Sequence, residues 1–289
     1  MIEGATGTAY VNGDYVPLAQ ASVSVLDRGF LFADGVYEVA AVIDGLLVDN
    51  DAHLARLERS ARELGIPMPH SVAEIEAIQK QIVSRNAMSE GLVYLQLTRG
   101  TDATRDFLAP AGLTPTLVLF AQVRPVTSNA AAAKGIAVKS MPDLRWARRD
   151  IKSVGLLAQA LAKREAAAAG CQEAIMLEDG LVTEGASSTF HIVTQDGILV
   201  TRPHSNTVLP GCTSAAVAAL GAEQGLTIEH RAFTLAEAKA AREVFITSAS
   251  TFVMPVVTID GEAVASGIPG PLALRLRELY LDFARRTGR

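Results

Sequence analysis

Between Thr8 and Pro17, β-prone residues flank Asn12-Gly13, a pair that takes up positive φ readily, and this predicts an antiparallel hairpin. A third strand is expected over residues 35–43, leading through Asp44-Gly45 into residues 46–48. Leu54, Leu57 and Leu64 then recur at helical spacing after Asn50 or Asp51, either of which is expected to cap the helix. A second helix over residues 71–85 follows Pro67 and Pro69, and strands over residues 92–98 and 115–121 complete a first α+β domain. Residues 122–129, with Pro125, Ser128 and Asn129 and little periodicity, read as the start of a connector.

Beyond the connector, a strand over residues 136–141 precedes a helix over residues 156–169 that Gly170 ends. Hairpins are expected at Asp179-Gly180 and Asp196-Gly197, with a helix over residues 214–224, a strand over 243–248 and a last helix after Pro271. The pattern therefore predicts two domains: a small α+β domain over residues 1–121, a connector over 122–134 and a larger domain over 135–289. No internal repeat is visible.

Composition narrows the function. With 49% hydrophobic and 20% charged residues the chain carries ample material for a core, which excludes a disordered or stapled scaffold. The net charge of −5 gives no general attraction to nucleic acid or anionic lipid. Cys171 and Cys212 are too few for a disulfide framework, no stretch reads as a signal or membrane span, and a cytoplasmic setting is expected. The histidines, at 53, 70, 191, 204 and 230, lack metal-ligand spacing, so no metal is expected. Nucleotide-loop, nucleophile-elbow and zinc-protease motifs are missing as well.

Three local features carry chemistry, and each has a plain reading beside the functional one. Lys152 sits in Arg148-Arg149-Asp150-Ile151-Lys152-Ser153; it is either a solvated ammonium beside Asp150 or an amine that nearby cations and apolar side chains help to deprotonate for Schiff-base chemistry. Pro210-Gly211-Cys212-Thr213 leads into an apolar helix, giving either an ordinary hydroxyl-capped start or backbone N–H groups that seat a phosphate. Glu184, among small residues after the Asp179-Gly180 hairpin, is either a surface carboxylate or an anion for a ring nitrogen, and residues 247–251 form a hydroxyl cluster. Together these supply what pyridoxal phosphate requires: an amine for the aldehyde, a phosphate seat and an anion for the pyridine nitrogen.

Taken in order, Asp27-Arg28-Gly29-Phe30, Asp34-Gly35-Val36-Tyr37-Glu38, His53 with Arg56-Leu57, Thr98-Arg99-Gly100, Arg145-Trp146, Asp150-Ile151-Lys152-Ser153, Thr183-Glu184-Gly185, Gly211-Cys212-Thr213 and Thr247-Ser248 make the chain resemble, nearly end to end, the fold-type IV pyridoxal-phosphate enzymes, and within them the bacterial D-amino acid aminotransferases. The resemblance implies a two-domain α+β homodimer with the cofactor in the interdomain cleft, transferring the amino group of a D-alanine-like donor to pyruvate or 2-oxoglutarate. It implies Lys152 as Schiff-base nucleophile and general acid/base, and Glu184 as partner of the ring nitrogen. Arg56, Thr213, Ser248 and the backbone amides of Cys212 and Ala249 are implied to hold the phosphate, with Tyr37 and Val39 lining the substrate pocket. No nucleic-acid or membrane partner is implied.

The chain departs from that family in one functional stretch. Where the D-alanine enzymes carry an Arg-x-His pair for the substrate carboxylate, Thr104 and Asp106 stand here with Arg105 between them, which leaves Arg105 and Arg28 as the candidate carboxylate ligands. Ala249 replaces a family hydroxyl. R-selective amine transaminases, branched-chain aminotransferases and 4-amino-4-deoxychorismate lyases share the cofactor kit and stay open as alternatives.

Overall fold

The structure, a computed structural model, describes residues 6–289. These fall into two compact units: the described residues up to Val126 together with Ile151–Gly155 and Thr287–Arg289, and Thr127–Asp150 together with Leu156–Arg286. The sequence pattern put Lys152 with the second domain; its segment instead packs within the first unit, an assignment that only long-range contacts reveal.

In the first unit, β1 (Thr8–Val11) and β2 (Asp14–Pro17) form the expected hairpin, with Asn12 and Gly13 both at positive φ. The short helix α1 (Arg28–Phe32) leads to β3 (Gly35–Ile43), β4 (Leu46–Leu47), α2 (Asn50–Glu63), α3 (Val72–Arg85), β5 (Gly91–Thr98) and β6 (Thr116–Val123). The strands lie in the order β2-β1-β6-β5-β3-β4. Val36, Ala40 and Val42 of β3 meet Leu54, Leu57 and Ala61 of α2 and Ile75 and Ile82 of α3 in one core. The cap of α2 differs from expectation: Asp49, in the left-handed region, is the N-cap residue and makes no side-chain cap hydrogen bond, while Asn50 is the first helical residue and turns inward, its Nδ2 donating to Gln79. Ser71 caps α3 through a reciprocal bond pair with Glu74.

The second unit opens with α4 (Ala130–Lys134), where a connector was expected, and β7 (Ile136–Pro142). There follow α5 (Leu157–Ala168), β8 (Glu173–Glu178), β9 (Leu181–Gly185), β10 (Thr189–Val193), β11 (Leu199–Thr201), α6 (Cys212–Glu223), β12 (Ile228–His230), α7 (Leu235–Lys239), β13 (Glu243–Ser248), β14 (Phe252–Ile259), β15 (Glu262–Ala263) and α8 (Pro271–Thr287). The sheet runs β12-β11-β10-β13-β14-β7-β8-β9, with β15 on β14. Phe190, Val200, Phe233, Val244 and Ile246 lie in its main core. Both units mix helices and sheets, the α+β class expected.

Candidate active site

Strand alternation separates two faces of β3: Val36, Glu38 and Ala40 are buried, whereas Tyr37 and Val39 are only half-buried. Tyr37 stacks on Tyr94 of β5 at 5.7 Å, and burial pushes the Tyr94 phenol up. The lysine segment lies along the open edge of β3. The Tyr37 N–H donates to the Lys152 carbonyl at 3.0 Å, the Val154 N–H donates to the Gly35 carbonyl at 3.0 Å, and Ile151 enters the core. The Lys152 N–H donates to Ser60 Oγ of α2 at 3.4 Å, and Lys152 Nζ lies 4.2 Å from the centre of the Tyr37 ring. The structure thus brings Lys152 and Tyr37 together.

One turn before Ser60, Arg56 is buried on α2 and forks onto Glu38, Nε to Oε1 at 2.7 Å and Nη2 to Oε2 at 2.8 Å. His53 Nδ1 shares Glu38 Oε2 at 2.8 Å. Burial alone would raise the Glu38 pKa, but the charge and hydrogen bonds of Arg56, with those of His53, outweigh it and bring it down to about 2. Sequence reasoning assigned Glu38 no role. The available signal was a carboxylate at a position that the period-2 pattern gives to the apolar face.

The two carboxylate-ligand candidates differ in their environment. Arg28 is buried, and its guanidinium donates to Asp34 Oδ2 at 3.0 Å and to the carbonyls of Asp106 and Phe107 at 2.6 and 2.9 Å. Arg105 is exposed, with its guanidinium 5.0 Å from the centre of the Phe32 ring. Arg28 therefore ties down the loop that carries Arg105.

In the second unit, Glu184 is buried on β9 and receives hydrogen bonds from Arg145 Nη1 and from the Leu209 N–H, the latter at 3.2 Å. Burial pushes its carboxyl up, against the pull of the Arg145 charge. Asp143 accepts from Arg145 Nη2 at 2.6 Å and from Thr183 Oγ1 at 2.7 Å, so Arg145 is gripped between two buried carboxylates. Arg145 was singled out in the sequence without a role, and Asp143 was missed; its local context is loop-like, and only the fold returns it to β9.

Leu209 leads directly into the expected phosphate seat. Here the structure corrects the sequence reading: α6 begins at Cys212, its N-cap is Gly211, and no side chain caps it, because the hydroxyls of Thr213 and Ser214 already lie in the first helical turn. A Cβ on Gly211 would lie only 2.8 Å from Thr189 Oγ1, so a side chain there would crowd β10. Thr189 is paired with Thr247, which places the helix start beside the end of β13. Ser248 ends that strand, and its Oγ lies 3.2 Å from Ser250 Oγ and 2.8 Å from Thr251 Oγ1, with Ala249 in the same turn. Glu184, Cys212, Thr213 and Ser248 are thus linked through Leu209 and the β10–β13 pair.

Among the described residues no group of three or more His, Cys, Asp or Glu side chains is arranged to hold a metal ion. The family described as amino-transferase class IV matches residues 35–259, and the chain belongs to that family. It is 41% identical over 263 residues to the D-alanine aminotransferase of Bacillus licheniformis, covering 90% of this chain and 91% of that one. To the D-alanine aminotransferase of Listeria monocytogenes serotype 4b (strain F2365) it is 35% identical over 273 residues, 94% of each. The solved branched-chain amino acid aminotransferase of Escherichia coli superposes with a TM-score of 0.90 at 24% identity, over 96% of this chain and 95% of that one, which shows the shared fold. The T.th. branched-chain amino acid aminotransferase with pyridoxamine 5′-phosphate gives a TM-score of 0.88 at 28% identity, over 96% and 93%.

The protein is therefore a fold-type IV aminotransferase, of a class that uses pyridoxal 5′-phosphate. The donor set fits that cofactor: a buried carboxylate suits a protonated ring nitrogen, clustered hydroxyls and uncapped helix N–H groups suit a phosphate, and one lysine is anchored by its backbone in the first unit.

Proposed function

We propose that the protein transfers the amino group of a D-amino acid, D-alanine or a close analogue, to a 2-oxo acid such as pyruvate or 2-oxoglutarate, in ping-pong order. The observation that carries this reading is the anchored amine of Lys152 beside Tyr37 in a chain whose curated relatives are D-alanine aminotransferases.

Pyridoxal 5′-phosphate, when bound, supplies an aldehyde carbon that carries the amino group and a ring that accepts electron density from the substrate α-carbon. Lys152 Nζ would hold the cofactor through that aldehyde as its nucleophile and would hold and move the substrate α-proton as general acid and base. Glu184 would pair with the ring nitrogen as its anion, with Arg145 donating to the carboxylate. Arg56, the Thr213 hydroxyl, the backbone amides of Cys212 and Ala249, and Ser248 hold the phosphate. Tyr37 and Val39 line the substrate pocket.

Arg105 takes the substrate carboxylate, because the guanidinium of Arg28 is already engaged with Asp34 and two loop carbonyls. The protein works as a homodimer in the cytoplasm. Phe30, Phe107 and Leu108, 72%, 81% and 82% exposed, supply an apolar surface of the kind that subunit contacts cover. No helix among the described residues is long and apolar enough to cross a membrane.

The test is the visible absorption spectrum of the cofactor-loaded protein before and after D-alanine, with no oxo acid present. Loss of the yellow band with release of pyruvate, and much slower change with L-alanine, L-leucine or an R-amine, is the expected result. A spectrum that D-alanine leaves unchanged while L-leucine, an R-amine or aminodeoxychorismate alters it moves the activity to that alternative.

A further inference from the structure

Arg277 is a buried guanidinium on α8, 7% exposed, and the acceptors of its hydrogen bonds are all main-chain carbonyls. Nη1 donates to the Thr251 carbonyl at 2.6 Å and to the Val253 carbonyl at 2.8 Å, and Nη2 donates to the Thr127 carbonyl at 3.1 Å. No ion pair to Arg277 is formed among the described residues, although buried charges are ordinarily paired with an opposite charge. Burial alone acts on the group, in the direction that disfavours its charge.

The residue between the two gripped carbonyls is Phe252, at φ 59, a left-handed conformation that is strained for a large side chain. Its ring is fully buried against Tyr280, also on α8, so core packing and the Arg277 fork act on the same residue. The strain turns the chain sharply between β13 and β14, directly after the hydroxyl cluster of Ser248, Ser250 and Thr251. An arginine that chelates carbonyls on both sides of a strained residue fixes the shape of that turn, and its charge lies one hydrogen bond from Thr251.

We propose that Arg277 is a positioning residue for the cofactor phosphate: it holds the Ser248–Thr251 turn in its hydroxyl-presenting form, and its unpaired charge is balanced by the phosphate dianion seated there. This rests on the placement of the phosphate at Ser248 under the reading above. Arg277 acts through the turn carbonyls. A purely structural arginine at the same place would support the fold equally with any ligand, whereas a phosphate-directed one discriminates between ligands with and without the phosphate.

The experiment compares equilibrium binding of pyridoxal 5′-phosphate and of pyridoxal, which lacks the phosphate, to wild type, Arg277→Lys and Arg277→Met. Binding is followed by the visible band and by the fluorescence of Trp146, the only tryptophan. Arg277→Met is expected to weaken pyridoxal phosphate on the order of 10- to 100-fold, as befits loss of a charge-assisted interaction, and pyridoxal by about 3-fold at most. Arg277→Lys, which keeps the charge and loses the fork, falls between. Equal weakening of both ligands, or none of either, overturns the proposal. If Arg277→Met does not fold, Arg277→Lys decides by the same ratio. Wild-type protein that develops no visible band with either ligand would instead refute the cofactor site itself, and pyridoxal phosphate bound as tightly by Ser248→Ala as by wild type would move the phosphate elsewhere.

Discussion

Glu38 is a carboxylate in the core between β3 and α2, and its ionisation is linked to stability. Its pKa, brought from an ordinary 4.5 to about 2, means that the folded protein binds the proton less readily than the unfolded chain. The stabilisation is therefore complete above about pH 4.5 and is lost as pH falls toward about 2; at about 1.4 kcal/mol per unit it is roughly 3 kcal/mol. Urea unfolding of cofactor-free protein should show Glu38→Gln less stable than wild type by about that amount near neutrality, with the gap shrinking to less than half by about pH 3 and closing near about pH 2. Other acids, Asp34 and Asp143 among them, also have lowered pKa values, so the difference between the two proteins is the quantity to read. A gap that stays constant with pH would mean that Glu38 contributes through shape and not through its charge. The same residue shows how sequence and structure differ in reach. The strand over residues 35–43 is legible from its composition and its bounding Asp44-Gly45 turn, but the partners of Glu38 come from a helix 15 to 18 residues later.

Among the elements, α8 shows how a helix is anchored by a residue that is remote in sequence. Glu243, buried at the start of β13, accepts hydrogen bonds from the Leu272 and Ala273 N–H groups at 3.1 and 2.9 Å, so a carboxylate sits at the positive end of the helix. Gly270 leaves room for it; a Cβ there would fall 2.0 Å from Glu243 Cδ. Glu243→Ala is expected to cost roughly 2 kcal/mol, since a buried and a part-buried N–H group lose their acceptor, and to speed hydrogen exchange at Leu272 and Ala273. Unchanged exchange at those amides would remove Glu243 as the cap. Elements with local signatures, such as the Asn12-Gly13 hairpin and the helix over residues 71–85, were readable in the sequence because their hydrogen bonds close within a few residues. β14 was not, since Pro255 argues against an interior strand; the structure accommodates it just before β7 joins at Val256. Arg277 was equally hidden, because within Leu274-Arg275-Leu276-Arg277-Glu278 it reads as one more charge on an amphipathic helix.

The first unit as a whole is assembled from three stretches of chain, and its stability should follow that division instead of chain order. Residues up to Val126 supply the whole six-stranded sheet, yet the edge of β3 at Gly35 to Tyr37 is closed by Lys152 and Val154, and the backbone of Leu47 in β4 exchanges hydrogen bonds with Arg289 at 2.8 and 3.0 Å. A fragment of residues 1–126 loses these partners, and it also loses Ile151, whose burial is worth about 1.5–3 kcal/mol. It leaves a bare strand edge, the usual template for self-association. Tethering residues 151–155 to that fragment by a flexible Gly/Ser linker restores the edge bonds and the Ile151 contact at a closure cost that grows only slowly with linker length. The tethered form is therefore expected to unfold at a higher urea midpoint than the plain fragment and to sediment as a smaller species. Identical midpoints and sedimentation for the two would show that the lysine segment merely rests on β3. In that case the position of Lys152 would have to be fixed from the second unit, to which residues 150 and 156 on either side of its segment belong.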